Sequence, residues 1–294
     1  MKTCPVSVII PYYNSESTIV RSVASVLDQT LPPAQIICIN DASSDRSLER
    51  LEKFLEGHPA KDTVTLINLS ENSGVYVARN IGLKTATEPY LAFQDGDDFW
   101  HPQKLEIQYA LFEKDPDLAL SCHGVKYHSG SVASLERFAK DYTPSIKRLK
   151  DAHVLFRNVM ITISIMIKKP ENLEFDESKR RGSDMLFWLE IVLRGGKAIW
   201  IRDYMSFTAK PLYGAGGLSG NIWKAEMAQQ DNLHKLWVRG YISLWYSLFL
   251  RAFSFAKMIR RYMIYITRTL KGEDPSPQTI NPPVRRLSLF GHFF

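Results

Sequence analysis

Asp95, Asp97 and Asp98 stand together in Phe93-Gln94-Asp95-Gly96-Asp97-Asp98, directly after the apolar run Tyr90 to Phe93 and directly before Phe99-Trp100. Hard divalent cations such as Mg2+ and Mn2+ prefer oxygen ligands, and a cation held by two carboxylates keeps positions open for phosphate oxygens. Residues two apart in an extended segment point the same way, so Asp95 and Asp97 can face one site. Gly96 between them lets the backbone approach a ligand closely. The arrangement suits a nucleoside diphosphate; a solvated acidic turn carries the same letters, and the motif alone does not separate the two.

The elements that must position these carboxylates are legible upstream. Val6-Ser7-Val8-Ile9-Ile10-Pro11 is β-branched and reads as a buried central strand that ends in Tyr12-Tyr13-Asn14. Thr18 to Gln29 has helical spacing, Gln35 to Asn40 is a second strand, and Ser47 to Glu56 a second helix. Val64 to Leu69, the turn Glu71-Asn72-Ser73-Gly74, a helix over Val75 to Lys84 and the strand Tyr90 to Gln94 continue the alternation. Strands separated by helices imply an α/β fold with a doubly wound, mostly parallel sheet, whose ligands bind beyond the carboxyl ends of the strands. Asn14, Asp41, Ser73-Gly74 and Asp95 all fall at such ends.

Beyond the motif, Pro102 suits the first turn of a helix running to about Lys114, with Asp98 a possible cap or orienting group. Leu118 to His123, Thr162 to Ile167 and Lys197 to Ile201 are further strands, and Lys126 to Asn158 is irregular and polar. Ser183 to Leu193 is a helix stopped by Gly195-Gly196. Gly214 to Gly220 is a glycine-rich loop without the Lys of a P-loop.

The chain has 294 residues, 45% of them hydrophobic, enough for one large domain and an appendage. Cys4, Cys38 and Cys122 are widely spaced, with no paired Cys/His pattern, which fits buried thiols in a reducing compartment better than a disulfide scaffold or a zinc site. No signal peptide is readable at the start, so the expected location is cytoplasmic. The net charge of +6 belongs to the C-terminal part, where eight Lys or Arg and no acidic residue lie between Asp231 and Glu273.

Val6 to Asn14, Ile37 to Asp45, Asn72 to Asn80 and Phe93 to Trp100 together resemble the successive blocks of the family 2 glycosyltransferases, over about residues 4 to 220. The resemblance implies the GT-A fold and a nucleotide-sugar donor. By resemblance Pro11, Tyr13 and Asp41 contact base or ribose, although an Asp at the place of Asp41 also often makes an Asx-turn. Arg79 and Asn80 match the family's Ala-Arg-Asn block, with Arg79 near the diphosphate or in an ion pair within the protein. Asp97 matches the direct metal ligand, for Mn2+ or Mg2+, and Asp95 faces ribose or metal. Asp184 stands where the family has its catalytic base, with Ser183 in place of the usual Glu; Ser183 is a good cap and Asp184 also suits the helix dipole. Asn40-Asp41 for Asp-Asp and Ala42 for Gly are smaller departures.

The resemblance thus implies a metal-dependent inverting transferase that moves sugar from a nucleotide donor, UDP-sugar foremost, to a glycan or lipid-linked acceptor in surface polysaccharide or lipopolysaccharide synthesis. The rivals are a nucleotidyltransferase, which would want a Gly-rich Lys/Arg loop after the first strand, and a silent scaffold of the same fold. Residues 221–272 read as one or two basic amphipathic helices, apolar and cationic from Leu233 to Leu270, for an anionic membrane surface on its cytosolic side or for a protein partner. The longest uncharged run there, Tyr241 to Leu250, is ten residues, about half of what spans a bilayer. No nucleic-acid motif accompanies the charge. Residues 273–294 form a Pro-rich tail.

Overall fold

The computed structural model describes residues 2–128, 132–139, 141–157, 159–208 and 222–270, and the backbone of 279–280. Its centre is β1 (Cys4–Tyr12), flanked in parallel by β2 (Pro33–Asn40) and β4 (Tyr90–Phe93), with β3 (Val64–Asn68) parallel to β2 at the edge. Three helices connect these strands: α1 (Ile19–Leu27), α2 (Ser47–Leu55) and α3 (Val75–Thr85). Period-two alternation sends successive side chains of β1 to opposite faces, and both faces are covered. Ile9 joins a core with Ile37, Phe93 and Trp188, whereas Val8 and Ile10 join another with Val23, Leu51 and Trp100. This is the expected doubly wound arrangement.

After β4 the chain crosses at once to the far side of the sheet. β5 (Asp98–Trp100) pairs antiparallel with β9 (Lys197–Thr208), with Asp98 opposite Thr208. Asp98 therefore opens a strand and caps no helix. The next helix, α4 (Lys104–Lys114), begins after Pro102 rather than at it. β6 (Leu118–Tyr127) runs parallel to β9, and β8 (Met166–Lys168) lies antiparallel between β4 and β6. Residues 162–164 of the expected strand instead form a 3-10 turn. The region read as irregular contributes β7 (Ile146–Leu149), antiparallel to β9, and α5 (Asp151–Phe156). β10 (Thr279–Ile280) adds to β6 from the Pro-rich tail. The described strands form one sheet in the order β3-β2-β1-β4-β8-β6-β9-β5, with β7 and β10 branching from it.

α6 (Ser183–Leu193) packs on one face of the sheet through Trp188, which is fully buried. Burying a side chain of this size stabilises by about 3 kcal/mol. α7 (Ile222–Val238) and α8 (Leu244–Leu270) follow as two helices. α7 is tied to the body by Lys179–Asp231, Lys235–Asp176 and Arg239–Glu190 ion pairs and by the Asn232 amide, which donates to the Gly182 carbonyl at 2.8 Å. Two cations expected on an outward basic face, Lys235 and Arg239, are thus turned inward.

Candidate active site

The turn that carries the carboxylates is fastened from three directions. The Gln94 amide donates to the Ile9 carbonyl at 3.0 Å, which continues the β1 pairing, and the Asp98 amide closes the turn on the Asp95 carbonyl at 3.1 Å. From α1, Ser22 Oγ donates to the Asp95 carbonyl at 2.9 Å and Arg21 to the Asp97 carbonyl at 3.0 Å. A Cβ at Gly96 would stand 2.6 Å from Tyr12 Cβ, well inside contact distance. Glycine is required there by the end of β1, rather than by a ligand as its sequence context suggests.

Asp95 accepts a 2.7 Å ion-pair hydrogen bond from Arg79 Nη2, and the Arg79 side chain is 5% exposed. A buried guanidinium needs such a partner, because an unpaired one would carry the full cost of desolvation. Lost hydration raises the Asp95 carboxyl above its ordinary range; Arg79 pulls it down and the neighbouring charge of Asp97 pushes it up. The two carboxylates are therefore near enough to repel.

Asp184 sits in the first turn of α6, whose cap is Gly182 at φ 73°, a left-handed geometry that favours glycine. Ser183 is the first helical residue rather than the cap, and its buried hydroxyl makes no hydrogen bond. Both Asp184 oxygens receive donors: Thr162 Oγ1 at 2.9 Å and the Tyr76 hydroxyl at 3.3 Å. Tyr76 stacks on Phe175, which stacks on Phe187 at 4.2 Å and meets Trp188 and Phe93 edge to face. The same aromatic block thus underlies the residues beside Asp184 and the strand that ends before Asp95. The Asp184 charge is felt at Arg79 and at Asp95. One cluster therefore joins Asp95, Asp97, Arg79, Tyr76, Thr162 and Asp184.

The remaining expected residues are placed less uniformly. Pro11 is buried within β1, whereas Tyr13 just beyond it is 48% exposed, which leaves its ring free to stack. Asp41 follows β2 and is buried; its carboxylate accepts the Ser73 amide at 2.7 Å and the Gly74 amide at 2.9 Å, so it fastens the turn before α3. Asn80 is turned to another task. Its amide donates to the Phe175 carbonyl and to Glu177, and its oxygen accepts the Phe175 amide, each at 2.8 Å. It holds the aromatic block. The glycine-rich stretch Gly214 to Gly220 lies outside the described residues.

Tyr76 and Thr162 were not singled out from sequence. Tyr76 lies three residues before Arg79 on α3, a spacing that puts both on one helix face and offers a signal. Thr162 carries none, because it meets Asp184 only through the tertiary fold.

The donor set fits a hard divalent cation. Asp95 and Asp97 offer carboxylate oxygens whose mutual repulsion a cation would relieve, and among the described residues no cage of three or more His, Cys, Asp or Glu is assembled. Mg2+ and Mn2+ at substrate phosphates are commonly held by one or two carboxylates, the ligand completing the shell.

A doubly wound sheet with antiparallel additions, carrying an Asp-x-Asp turn beyond β4 and a carboxylate at the start of α6, defines a glycosyltransferase of the GT-A fold. The chain belongs to glycosyl transferase family 2, whose profile matches residues 7–167. TuaG of Bacillus subtilis (strain 168), named for teichuronic acid biosynthesis, is 30% identical over 221 residues, covering 75% of this chain and 83% of TuaG. WfgD of Escherichia coli, a UDP-Glc:alpha-D-GlcNAc-diphosphoundecaprenol beta-1,3-glucosyltransferase, is 36% identical over 110 residues, 37% of this chain and 42% of WfgD. Other relatives are longer, and the chain spans 27–30% of them. The mannosyltransferase PcManGT from Pyrobaculum calidifontis, solved with GDP-Man and Mn2+, shares the fold at TM-score 0.61 and 18% identity, over 94% of this chain and 82% of PcManGT.

Proposed function

We propose that the chain transfers a sugar from a UDP-sugar to a glycan or lipid-linked acceptor, with inversion at the anomeric carbon, at the cytosolic face of a membrane during surface polysaccharide synthesis. The observation that carries this reading is the cluster in which Asp184, held by Thr162 and Tyr76, lies within electrostatic reach of the Asp95–Arg79 pair. A single displacement needs a base at the acceptor hydroxyl and positive charge at the departing diphosphate, and this cluster offers one carboxylate suited to the first and a two-carboxylate turn suited to holding a cation for the second.

Asp184 takes the proton of the acceptor hydroxyl as its oxygen attacks the anomeric carbon from the side opposite the nucleotide. The bond from that carbon to the diphosphate oxygen breaks, and UDP leaves. Tyr76 and Thr162 hold the carboxylate in one orientation, and Arg79 fixes Asp95. Mn2+ or Mg2+ held by Asp97 and Asp95 would neutralise charge on the leaving diphosphate. Tyr13 offers a ring for the base; Pro11 and Asp41 shape the same strand ends, and Asn80 acts by positioning the aromatic block. The family membership, and the names of TuaG and WfgD, support the setting and the donor; PcManGT keeps GDP-sugars as the competing donor class.

The test is release of UDP from a panel of UDP-sugars in the presence of membrane-extracted acceptor. Wild type is expected to turn over one of them, and Asp184→Asn to lose about 10²- to 10⁴-fold in kcat while it still binds nucleotide. A fully active Asp184→Asn enzyme would contradict the assignment.

A further inference from the structure

α8 has two unlike sides. Ser247, Leu250, Ser254 and Met258 face inward and are buried. The cations nearest them are also engaged: Arg251 donates to Gln230 and Lys257 to the Phe156 carbonyl. On the opposite side, Trp245, Leu248, Phe255, Ile259, Met263, Ile266 and Leu270 recur at spacings of three, four and, once, seven residues and are all exposed, Trp245 by 78% and Leu270 by 82%. The stripe runs the whole 27-residue helix. Past Met258 every side chain described in α8 is exposed.

Two occupants suit a long apolar stripe, and the distal third distinguishes them. A second copy of the helix needs a narrow seam, yet Ile264 and Tyr265 stand about 140° and 120° to either side of Ile259 and are also exposed. The distal segment is apolar on several sides, with Arg260 and Arg261 between. A second copy would also bring the same charge, since no acidic residue lies between Asp231 and Glu273. Anionic headgroups complement that charge, aromatic rings suit the boundary between water and acyl chains, and arginine stems can lie along apolar surface with their heads in water. No helix among the described residues is long and apolar enough to cross a membrane.

We infer that α8 lies flat on an anionic bilayer, its outward stripe from Trp245 to Leu270 entering the headgroup region and its inward face holding the catalytic body through α7. This deepens the membrane-face reading and places the contact on the apolar stripe instead of on the cations of α7.

The test is flotation of the full chain with vesicles of phosphatidylcholine alone or mixed with phosphatidylglycerol. Wild type is expected to float with the anionic vesicles, less so in high salt. Ile259→Asp/Ile266→Asp is expected to bind at least about tenfold more weakly with unchanged thermal melting, since both side chains are clear of the body. Arg261→Ser keeps the stripe and is expected to lose part of the salt-sensitive binding. Failure of wild type to float, or equal flotation of the double variant, overturns the proposal. So does a wild-type dimer that the double variant dissociates, which assigns the stripe to a second copy. UDP titration of the same samples reports the donor site separately, so either reading can fail alone.

Discussion

At the scale of single residues, the account rests on how Asp184 is held. Thr162 and Tyr76 each give one donor to its carboxylate, and a hydrogen bond to a charged group contributes about 1.5–3 kcal/mol. Thr162→Val keeps the shape and removes one of them. We expect kcat to fall by about tenfold with KM for the donor little changed, because the variant loosens the base without touching the nucleotide. Steady-state kinetics check this, and an equal fall in donor affinity would place Thr162 in the donor site instead. Asp95 and Asp97 were legible in the sequence because a strand end followed by carboxylates is a local pattern, whereas Asp184 was reached only through the resemblance to the family's blocks. Thr162 was not legible, since its partner lies 22 residues away. Asn80 was assigned to the donor by its neighbour Arg79, but adjacent helical residues point in different directions, and its amide turns to Phe175.

At the scale of elements, the strand ends set the geometry and their turns show where the sequence departs from ease. Ala42 follows β2 with φ 55°, a left-handed conformation that costs an L-residue about 1–2 kcal/mol. Ala42→Gly should relieve this against its greater loss of chain freedom and stabilise the protein by about 0.5–1 kcal/mol. Urea denaturation measures it, and a destabilised variant would mean that the methyl group packs usefully. The departure from the glycine common in the family thus has a physical counterpart. The four parallel strands and their helices were readable because each repeats one apolar period between clear turns. β5, β7 and the 3-10 turn at 162–164 were not, because three- or four-residue elements lack a period to detect and owe their form to β9 and Trp100, whose Nε1 donates to the Ile163 carbonyl at 3.0 Å.

At the scale of the whole molecule, a buried lysine couples stability to pH. Lys104 is fully buried between α4 and the sheet, its amine donating to Gln108 at 2.7 Å above the Trp100 ring. Loss of hydration pushes its pKa well below 10.5. The unfolded chain then binds one more proton than the fold between the depressed value and 10.5, so stability rises with pH across that window. Relative to Lys104→Met, wild type should gain about 1.4 kcal/mol per pH unit within that window. Parallel denaturation curves at two pH values test this, and identical slopes would show Lys104 charged in the fold. The basic C-terminal segment illustrates the same scale: its charge was countable in the sequence, but only the fold shows Lys235 and Arg239 paired with Asp176 and Glu190 and the apolar stripe of α8 facing out.

The division of labour between Asp97 and Asp184 is tested most directly by calorimetric titration of UDP, with and without Mn2+, into wild type, Asp97→Ala and Asp184→Asn. The account predicts Mn2+-dependent binding to wild type and Asp184→Asn and its loss in Asp97→Ala. UDP binding that is indifferent to Mn2+ and survives Asp97→Ala would contradict the placement of the diphosphate at the Asp95–Asp97 turn.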